Sequence, residues 1–179
     1  EAKIHGMKGY QALAPRGYQT YLIEEEGMVI LTTGTVTDIQ HAGIPPKHKW
    51  ARIEVNTHEG VIAIHIVDIH SWPFYDKGKP IKEIFDRARE ESCPSMVVGD
   101  FNTPVDSAWF DPVKRDFQHA LLTAGSDTTM GTWPRVYPVL SIDHMWMDTQ
   151  FELLETRNLN LRGSDHRALL TRFRRIPPK

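Results

Sequence analysis

The sequence has 179 residues, which suits a single domain over residues 1–179 that is large enough to bury a hydrophobic core. Hydrophobic residues make up 40% and charged residues 25% of the chain, and no apolar run is long enough to cross a bilayer, so we expect no membrane contact. The formal net charge of −2 argues against a protein whose main task is unspecific adhesion to nucleic acid, although it is compatible with a nuclease that uses bound cations.

The first 70 residues are typical of strands separated by turns. An acidic stretch, residues 24–27, lies between two short apolar segments and indicates a hairpin with a solvated loop. A second hairpin turns at residues 56–60, and Gly43, Pro45 and Pro46 indicate a loop over residues 41–49. The pattern therefore predicts five strands, at residues 18–23, 28–32, 35–39, 50–55 and 61–69.

The period of the apolar residues changes after residue 70. Pro80 suits the first turn of a helix, and the residues that follow place one apolar stripe against a sheet: Ile81, Ile84, Phe85 and Ala88. This helix leads into a strand at residues 96–98, and a second helix is predicted over residues 112–124. Four short strands follow, at residues 140–147, 151–155, 159–161 and 168–173. Together these elements favour an α/β or α+β sandwich, with two packed sheets and helices outside.

The segment at residues 96–102 contains the first candidate site. Its apolar run stops at Gly99, so the carboxylate of Asp100 and the amide of Asn102 lie at the end of a buried strand. On extended backbone, side chains two residues apart point the same way and can converge on one water molecule or metal ion. The alternative is a turn in which both residues only cap their own backbone.

Three further strand ends carry acids and histidines in the same way. The four clusters are residues 68–71, 99–102, 142–144 and 163–167. A single Asp-His dipeptide arises easily by chance, and a lone histidine is more often structural than catalytic. Four such clusters at the ends of strands are difficult to explain by packing and indicate one convergent polar site.

At these residues the chain resembles the metal-dependent endonuclease/exonuclease/phosphatase superfamily, which includes deoxyribonuclease I-like and abasic-site endonuclease-like enzymes. The matching segments follow the family order: Ile69-His70-Ser71, Gly99-Asp100-Phe101-Asn102, Ile142-Asp143-His144 and Ser164-Asp165-His166. The resemblance implies a four-layered α/β sandwich with two mainly antiparallel sheets. It also implies hydrolysis of a phosphate ester by water with the assistance of Mg²⁺ or Mn²⁺.

The resemblance implies a role for each matching residue. Asp100 would hold or deprotonate the attacking water and contact the metal, and Asn102 would orient the water or donate to a phosphate oxygen. Asp165 would be a metal ligand, because a hard divalent ion prefers carboxylate oxygens. His166 would donate to the phosphate, with Asp143 bonded to its other ring nitrogen and favouring the charged form. A second phosphate donor would be His70.

The N-terminal part of the family pattern is absent from this sequence. Family members begin with a strand that carries an asparagine, followed by a strand that ends in Gln-Glu, whose glutamate is the principal metal ligand. Glu1 stands at about the right distance before the strand at residues 18–23 to be that glutamate, and the first strand or strands would then be missing. If Glu1 is instead a chance residue, we expect the chain to bind metal weakly or not at all.

The substrate is the most open part of the prediction. Ser71, Trp72 and Trp133 are the expected substrate-binding residues, and the aromatic ones would form a rim that stacks a base or covers a lipid, although ordinary loop packing is an alternative. We expect a phosphate-ester substrate, with nucleic acid as the first candidate. A lipid or small-molecule phosphoesterase is the close alternative, and a ligand-binding module with a degenerate site is the alternative from another class.

Overall fold

The computed structural model describes residues 15–45, 47–123 and 131–176. No helix within these residues is long and apolar enough to cross a membrane. Ten strands lie in these residues, in chain order: β1 Gln19–Ile23, β2 Met28–Thr32, β3 Thr35–Ile44, β4 His48–Thr57, β5 Gly60–Asp68, β6 Ser95–Asp100, β7 Phe117–His119, β8 Asp143–Asp148, β9 Phe151–Leu159 and β10 Ala168–Arg175. The same described residues contain two α-helices, α1 at Gly78–Arg89 and the short α2 at Ala120–Thr123.

Six strands form the central sheet in the order β3-β4-β5-β6-β8-β7. The pairing is antiparallel except between β5 and β6, which run parallel and therefore need a crossover. The crossover contains α1, the helix predicted after residue 80; it begins at Gly78, two residues before Pro80. This crossover brings the carboxyl ends of β5 and β6 to the same edge of the sheet.

One face of the sheet packs against α1. The apolar stripe of the helix, predicted from its spacing, is fully or almost fully buried. Phe85 of this stripe contacts the rings of Phe101, Phe117 and Trp146, which the sheet and its loops contribute. Burying a side chain of this size contributes roughly 1.5–3 kcal/mol, so the aromatic cluster fixes the helix on the sheet.

The opposite face of the sheet is covered by two hairpins, β1–β2 and β9–β10. A second apolar core lies between them and the sheet; it joins Ile23 and Ile30 of the first hairpin and Phe151 of the second to Ile53 and Met96. A helical layer, a six-stranded sheet and a layer of strands are therefore stacked, which confirms the predicted α/β sandwich with mainly antiparallel sheets.

The main error in the predicted elements concerns residues 112–124. At residues 112–123 the structure has the single-turn 3₁₀ helix Val113–Arg115, then β7 and α2, in place of the predicted helix; residue 124 lies outside the described residues. Phe117 and His119 pair with the edge of β8, so contacts with the sheet outweigh the helical spacing of the apolar residues. The strands predicted at residues 151–155 and 159–161 are parts of one strand, β9, and β3 extends into the predicted loop through Gly43.

Candidate active site

Three aspartates lie side by side at one edge of the central sheet. Asp68, Asp100 and Asp143 are the end residues of β5, β6 and β8, and the strand register pairs Asp68 with Asp100 and Asp100 with Asp143. The ladder continues one residue further, because the Phe101 N–H donates to the Ile142 carbonyl at 2.9 Å. Two of the predicted strand-end clusters are therefore fixed relative to each other by backbone hydrogen bonds.

Gly99 allows β6 to approach β5 closely at this edge. Its φ is +138°, and a Cβ atom at this position would collide with the Val67 carbonyl. Only glycine fits such a backbone without strain. The backbone therefore requires the glycine of the Gly-Asp-Phe-Asn motif, which allows the Asp100 carboxylate to lie at the end of two closely packed strands.

Asp100 and Asn102 are in direct contact, although the backbone is not extended at Asn102. Asn102 adopts the left-handed region with φ of 46°, and its N–H donates to Asp100 Oδ1 at 2.8 Å. Its side-chain amide donates to Asp100 Oδ2 at 3.0 Å and to the Ile69 carbonyl at 2.8 Å. Because both amide hydrogens are donated, Oδ1 of Asn102 is the atom that can accept a hydrogen bond from a water molecule.

The environment of Asp100 raises its pKa to about 6. Burial is the main cause, and the charge of Asp143 adds to it, whereas the Asn102 N–H and the charge of His166 oppose it. A carboxylate whose pKa lies this close to neutrality can accept a proton from a reacting group. The electrostatics therefore suit a general base.

His166 is hydrogen-bonded to Asp143, with Nδ1 and Oδ2 2.9 Å apart. Burial lowers the pKa of His166, but the hydrogen bond and charge of Asp143, with the charges of Asp100 and Asp165, outweigh burial and raise it above its ordinary value. The side chains of His166 and Asp143 keep 25% and 21% of their exposure, so solvent and a ligand can reach them. Nε2 of His166 is then the ring atom that can donate to a substrate.

Asp100, Asp143 and His166 each offer one ligand atom within 4.8 Å of the others. Two of these residues are carboxylates, which fit a hard divalent cation, and imidazole is a ligand that Mn²⁺ accepts more readily than Mg²⁺. Asp165 is not in this group; its Oδ2 accepts a hydrogen bond from Trp133 Nε1 at 3.3 Å. Glu1, the other predicted ligand, lies outside the described residues.

His70 follows β5 and lies beside the turn of Asn102, which is bonded to the neighbouring Ile69. Its Nδ1 accepts the Trp72 N–H at 3.0 Å, so in the neutral ring Nε2 carries the proton. Its own N–H donates to Nδ1 of the buried His48 at 3.1 Å, and its ring packs against Tyr75 at 5.2 Å. His70 is thereby held as a donor.

The predicted substrate-binding residues occupy two loops beside this cluster. Ser71 and Trp72 follow His70 and are exposed, with Trp72 keeping 52% of its surface accessible. Trp133 lies in the loop at residues 131–140 and is bound to Asp165, as described above. This second loop is attached to the segment at residues 163–167, because the Arg135 N–H donates to the Asp165 carbonyl at 2.6 Å. Both loops therefore adjoin the polar cluster.

Three residues that hold this site were not identified from the sequence as site residues. Thr132 is fully buried, and its hydroxyl accepts the N–H groups of Ile142 and Asp143, both at 3.1 Å. Lys77 and His144 are buried and contact the turn that carries Asn102. Each of these side chains contacts backbone atoms of another segment, and the sequence gives no signal of such contacts.

Solved structures share this fold at low sequence identity. A conserved protein of unknown function from Enterococcus faecalis V583 aligns with a TM-score of 0.75 and 16% identity, over 97% of this chain and 81% of its own. TDP2 from D. rerio, complexed with a single-strand DNA product, aligns with a TM-score of 0.76 and 11% identity, over 97% and 82%. A mannosyl-6-phosphatase from Bacteroides thetaiotaomicron aligns with a TM-score of 0.69 and 13% identity, over 95% and 81%. Identities this low show the fold alone.

Comparison at the level of sequence identifies the family. No curated protein matches the chain. The model of the Endonuclease/Exonuclease/phosphatase family matches residues 30–166, which include the three aspartates, Asn102 and His166. The match covers most of the chain and agrees with the fold and with the resemblance seen in the motifs, and the protein belongs to the endonuclease/exonuclease/phosphatase family.

Proposed function

We propose that this protein is a metal-dependent phosphodiesterase, with a nuclease as the first candidate. The observation that carries the proposal is the juxtaposition of two units, the Asp100–Asn102 turn and the Asp143–His166 pair, on neighbouring strand ends. Hydrolysis of a phosphate ester needs an activated water on one side of phosphorus and positive charge around the phosphate oxygens. The first unit supplies acceptors and the second supplies a cationic donor.

Asp100 and Asn102 act on the attacking water. Oδ1 of Asn102 accepts one hydrogen bond from the water and orients it. The Asp100 carboxylate accepts the proton as the water oxygen bonds to phosphorus and the bond from phosphorus to the leaving oxygen breaks. Two roles were predicted for Asn102, orientation of the water and donation to a phosphate oxygen. Its amide hydrogens are already donated to Ile69 and Asp100, so orientation of the water is favoured.

His166 and His70 act on the phosphate. Nε2–H of His166 donates to a phosphate oxygen, and the Asp143 carboxylate stabilises the charged ring while the negative charge of the transition state develops. His70 donates from Nε2, the nitrogen that its contact with Trp72 leaves protonated. The Asp143–His166 hydrogen bond is the reason for assigning this pair to the phosphate and not to the metal.

Asp100 and Asp165, with Glu1 as a further predicted ligand, would hold Mg²⁺ or Mn²⁺. The ion would polarise the phosphate and neutralise charge on the leaving oxygen. Asp165 directly precedes His166 in the chain, and its charge is one of those that raise the pKa of His166. Asp100 belongs to the cluster in which ligand atoms of three residues come within 4.8 Å of one another, and its carboxylate oxygens suit a hard divalent ion.

A lipid or other apolar phosphoester is the second candidate substrate. The loops beside the site expose apolar side chains at their tips, with accessibilities of 84% for Phe74, 78% for Tyr137 and 77% for Val139. Aromatic rings stack on bases, but an exposed valine does not, and it suits an acyl chain or a bilayer surface better. A ligand-binding module without turnover stays the alternative from another class.

The experiment is a hydrolysis assay with Mg²⁺, with Mn²⁺ and with a chelator. Single-stranded DNA, duplex DNA, phospholipid vesicles and bis(4-nitrophenyl) phosphate serve as substrates. Turnover of at least one of them that needs a divalent ion supports the proposal, and absence of turnover with all four contradicts it. Activity on DNA that falls steeply with added salt identifies the nuclease, whereas salt-insensitive activity on vesicles identifies the lipid phosphoesterase.

A further inference from the structure

Two buried side chains hold consecutive carbonyl groups of the turn that carries Asn102. Lys77 Nζ donates to the Asn102 carbonyl at 2.5 Å, and His144 Nε2 donates to the Thr103 carbonyl at 2.8 Å. The two residues come from different elements, since Lys77 immediately precedes α1 and His144 lies on β8. The turn is therefore held from the helical side and from the sheet at once.

Lys77 is an unusual residue for the interior, because only 7% of its surface is accessible. Burying an ammonium group is unfavourable unless it is paired and hydrogen-bonded. Its side chain does not cap the helix, and the exposed Lys79 shows that a lysine at this helix end can remain in solvent. Burial lowers the pKa of Lys77, whereas the charge of Asp100 raises it, so the ammonium lies within reach of the field of the proposed general base.

His144 is fixed in one tautomer by a second histidine. His119 Nε2 lies 2.9 Å from His144 Nδ1, and both rings are buried, with 2% of each residue accessible. Because the Thr103 carbonyl can only accept, Nε2 of His144 must carry the proton, and its Nδ1 accepts from His119. The pair therefore presents a single donor to the turn.

The turn needs such support because its backbone is strained. Asn102 has a φ of 46°, a left-handed conformation that is unfavourable for most L-residues, although asparagine tolerates it better than most. If the turn relaxed, the Asn102 amide would no longer donate to the Ile69 carbonyl, and Oδ1 of Asn102 would no longer be held in one orientation. Surrounding contacts must hold a backbone of this kind in place.

We propose that Lys77 and His144 are positioning residues that clamp the strained turn so that Asn102 presents Oδ1 to the attacking water. The inference rests on the proposed function, because it assigns the clamp to the water-orienting residue of that reaction. A structural alternative exists, in which the two donors only satisfy loop carbonyls. The two possibilities differ in their effect on catalysis, because the loss of a merely structural contact would not lower activity through Asn102.

The test is a double-mutant cycle with Lys77→Met and Asn102→Ala, measured on bis(4-nitrophenyl) phosphate with Mn²⁺. In the natural background Lys77→Met is expected to lower kcat about 10- to 100-fold with KM unchanged, because a small misplacement of a reacting group has effects of this size. In the Asn102→Ala background it is expected to lower kcat less than about twofold, since the positioned group is absent. Equal losses in both backgrounds, or no loss in either, would overturn the inference.

Matched variants separate the clamp from general damage. Lys79→Met removes an exposed lysine from the same helix end and is expected to leave kcat unchanged. His144→Gln keeps an N–H donor near the position of Nε2, whereas His144→Leu removes it, so the first is expected to retain several-fold more activity than the second. Loss of activity in both His144 variants to the same extent would contradict the role of His144.

A measurement that does not depend on turnover completes the test. The side-chain NH₂ resonances of Asn102 report its bonds to Ile69 and Asp100, and we expect Lys77→Met to shift them and speed their exchange with solvent, while Lys79→Met leaves them unchanged. If the natural protein hydrolyses none of the substrates, the proposed function fails, and these resonances still decide the clamp. Unchanged resonances in Lys77→Met would rule it out.

Discussion

Two histidine–carboxylate pairs in this protein have nearly the same ring-to-carboxylate distance and opposite shifts of the histidine pKa. His166 and Asp143 at the sheet edge are 2.9 Å apart, and His65 of β5 and Glu91, which follows α1, are 3.0 Å apart. The pKa of His166 is raised, whereas that of His65 is lowered. The contact between a ring and a carboxylate therefore does not decide which form of the ring is favoured.

The difference arises from what surrounds each pair. Burial is the largest influence on the pKa of His65, whose side chain is only 1% accessible, and the charges of Arg52 and Arg87 lower it further against the opposing effect of Glu91. His166 is a quarter accessible, and three aspartates raise its pKa. A group of carboxylates with access to solvent separates a candidate catalytic histidine from a structural one.

The hydrogen bonds of the interior pair support a structural role. His65 Nδ1 accepts from Trp50 Nε1 at 3.1 Å, and Glu91 receives two hydrogen bonds from Arg52, at 2.7 and 2.8 Å. Both ring nitrogens of His65 are therefore engaged within the protein. The network joins β4 and β5 to the segment after α1, and leaves no ring nitrogen to contact a substrate.

Between the two pairs, the largest expected difference is in catalysis. Asp143→Asn removes the charge that stabilises protonated His166, so we expect kcat on bis(4-nitrophenyl) phosphate to fall on the order of 10³-fold. Glu91→Gln is the matched change in the interior pair, and we expect it to leave kcat within a few-fold. Comparable losses of kcat in the two variants would contradict the assignment of a catalytic role to the edge pair and a structural role to the interior pair.

The second effect is on stability, and here we expect the interior pair to be more sensitive to mutation than the edge pair. Glu91→Ala removes the carboxylate that is bonded to the buried His65 ring. Arg52 keeps its contacts with Asp38 and Glu54, so we expect the cost of one unsatisfied buried donor, about 1–3 kcal/mol. Asp143→Asn at the accessible edge should change the free energy of unfolding by less than about 1 kcal/mol. Urea denaturation of both variants measures this, and a greater loss of stability in Asp143→Asn would contradict the structural assignment of the interior pair.

The third prediction concerns the pH dependence of the two rings. The raised pKa of His166 stabilises the folded protein below the ordinary value of 6.5, and this contribution is lost as the pH rises through the folded-state pKa. The lowered pKa of His65 acts in the opposite sense, since its contribution is present above 6.5 and is lost as the pH falls. NMR titration of the metal-free protein should give a higher midpoint for His166 than for His65, and the reverse order would contradict the account.

The smallest expected effect concerns the interior pair and the influence of Arg87 on the pKa of His65. The Arg87 guanidinium lies 4.4 Å from the ring centre of Trp50 and is one of the charges that lower the pKa of His65. Arg87→Met should raise the midpoint of His65 in the same titration and change stability by no more than about 1 kcal/mol. A fall in that midpoint would show that burial and charge have been assigned wrongly.

The sequence predicted the fold where local pattern and tertiary contacts agree. The first hairpin was expected at residues 18–23 and 28–32 and is found at Gln19–Ile23 and Met28–Thr32, because the acidic turn separates two apolar segments. The error at residues 112–124 has the opposite origin. Its spacing fits a helix, but Phe117 pairs with the free edge of β8, and such a distant partner leaves no trace in the local pattern.

The candidate site was predicted through the residues that carry chemistry, and less well through those that hold them. Asp100, Asp143 and His166 were expected to meet, and the structure brings them within reach of one another. Lys77 and Thr132 could not be identified, since their partners are backbone atoms of distant segments. The same holds for His144, which is buried and contacts the Thr103 carbonyl.

In the proposed reaction the edge cluster is a hydrolytic site, and Asp100 accepts the proton of the attacking water. The most direct measurement compares kcat/KM of the natural protein and Asp100→Asn on bis(4-nitrophenyl) phosphate with Mn²⁺. We expect the natural protein to hydrolyse this substrate and the variant to lose activity about 10²- to 10⁴-fold while its thermal stability is retained. A variant as active as the natural protein would contradict it.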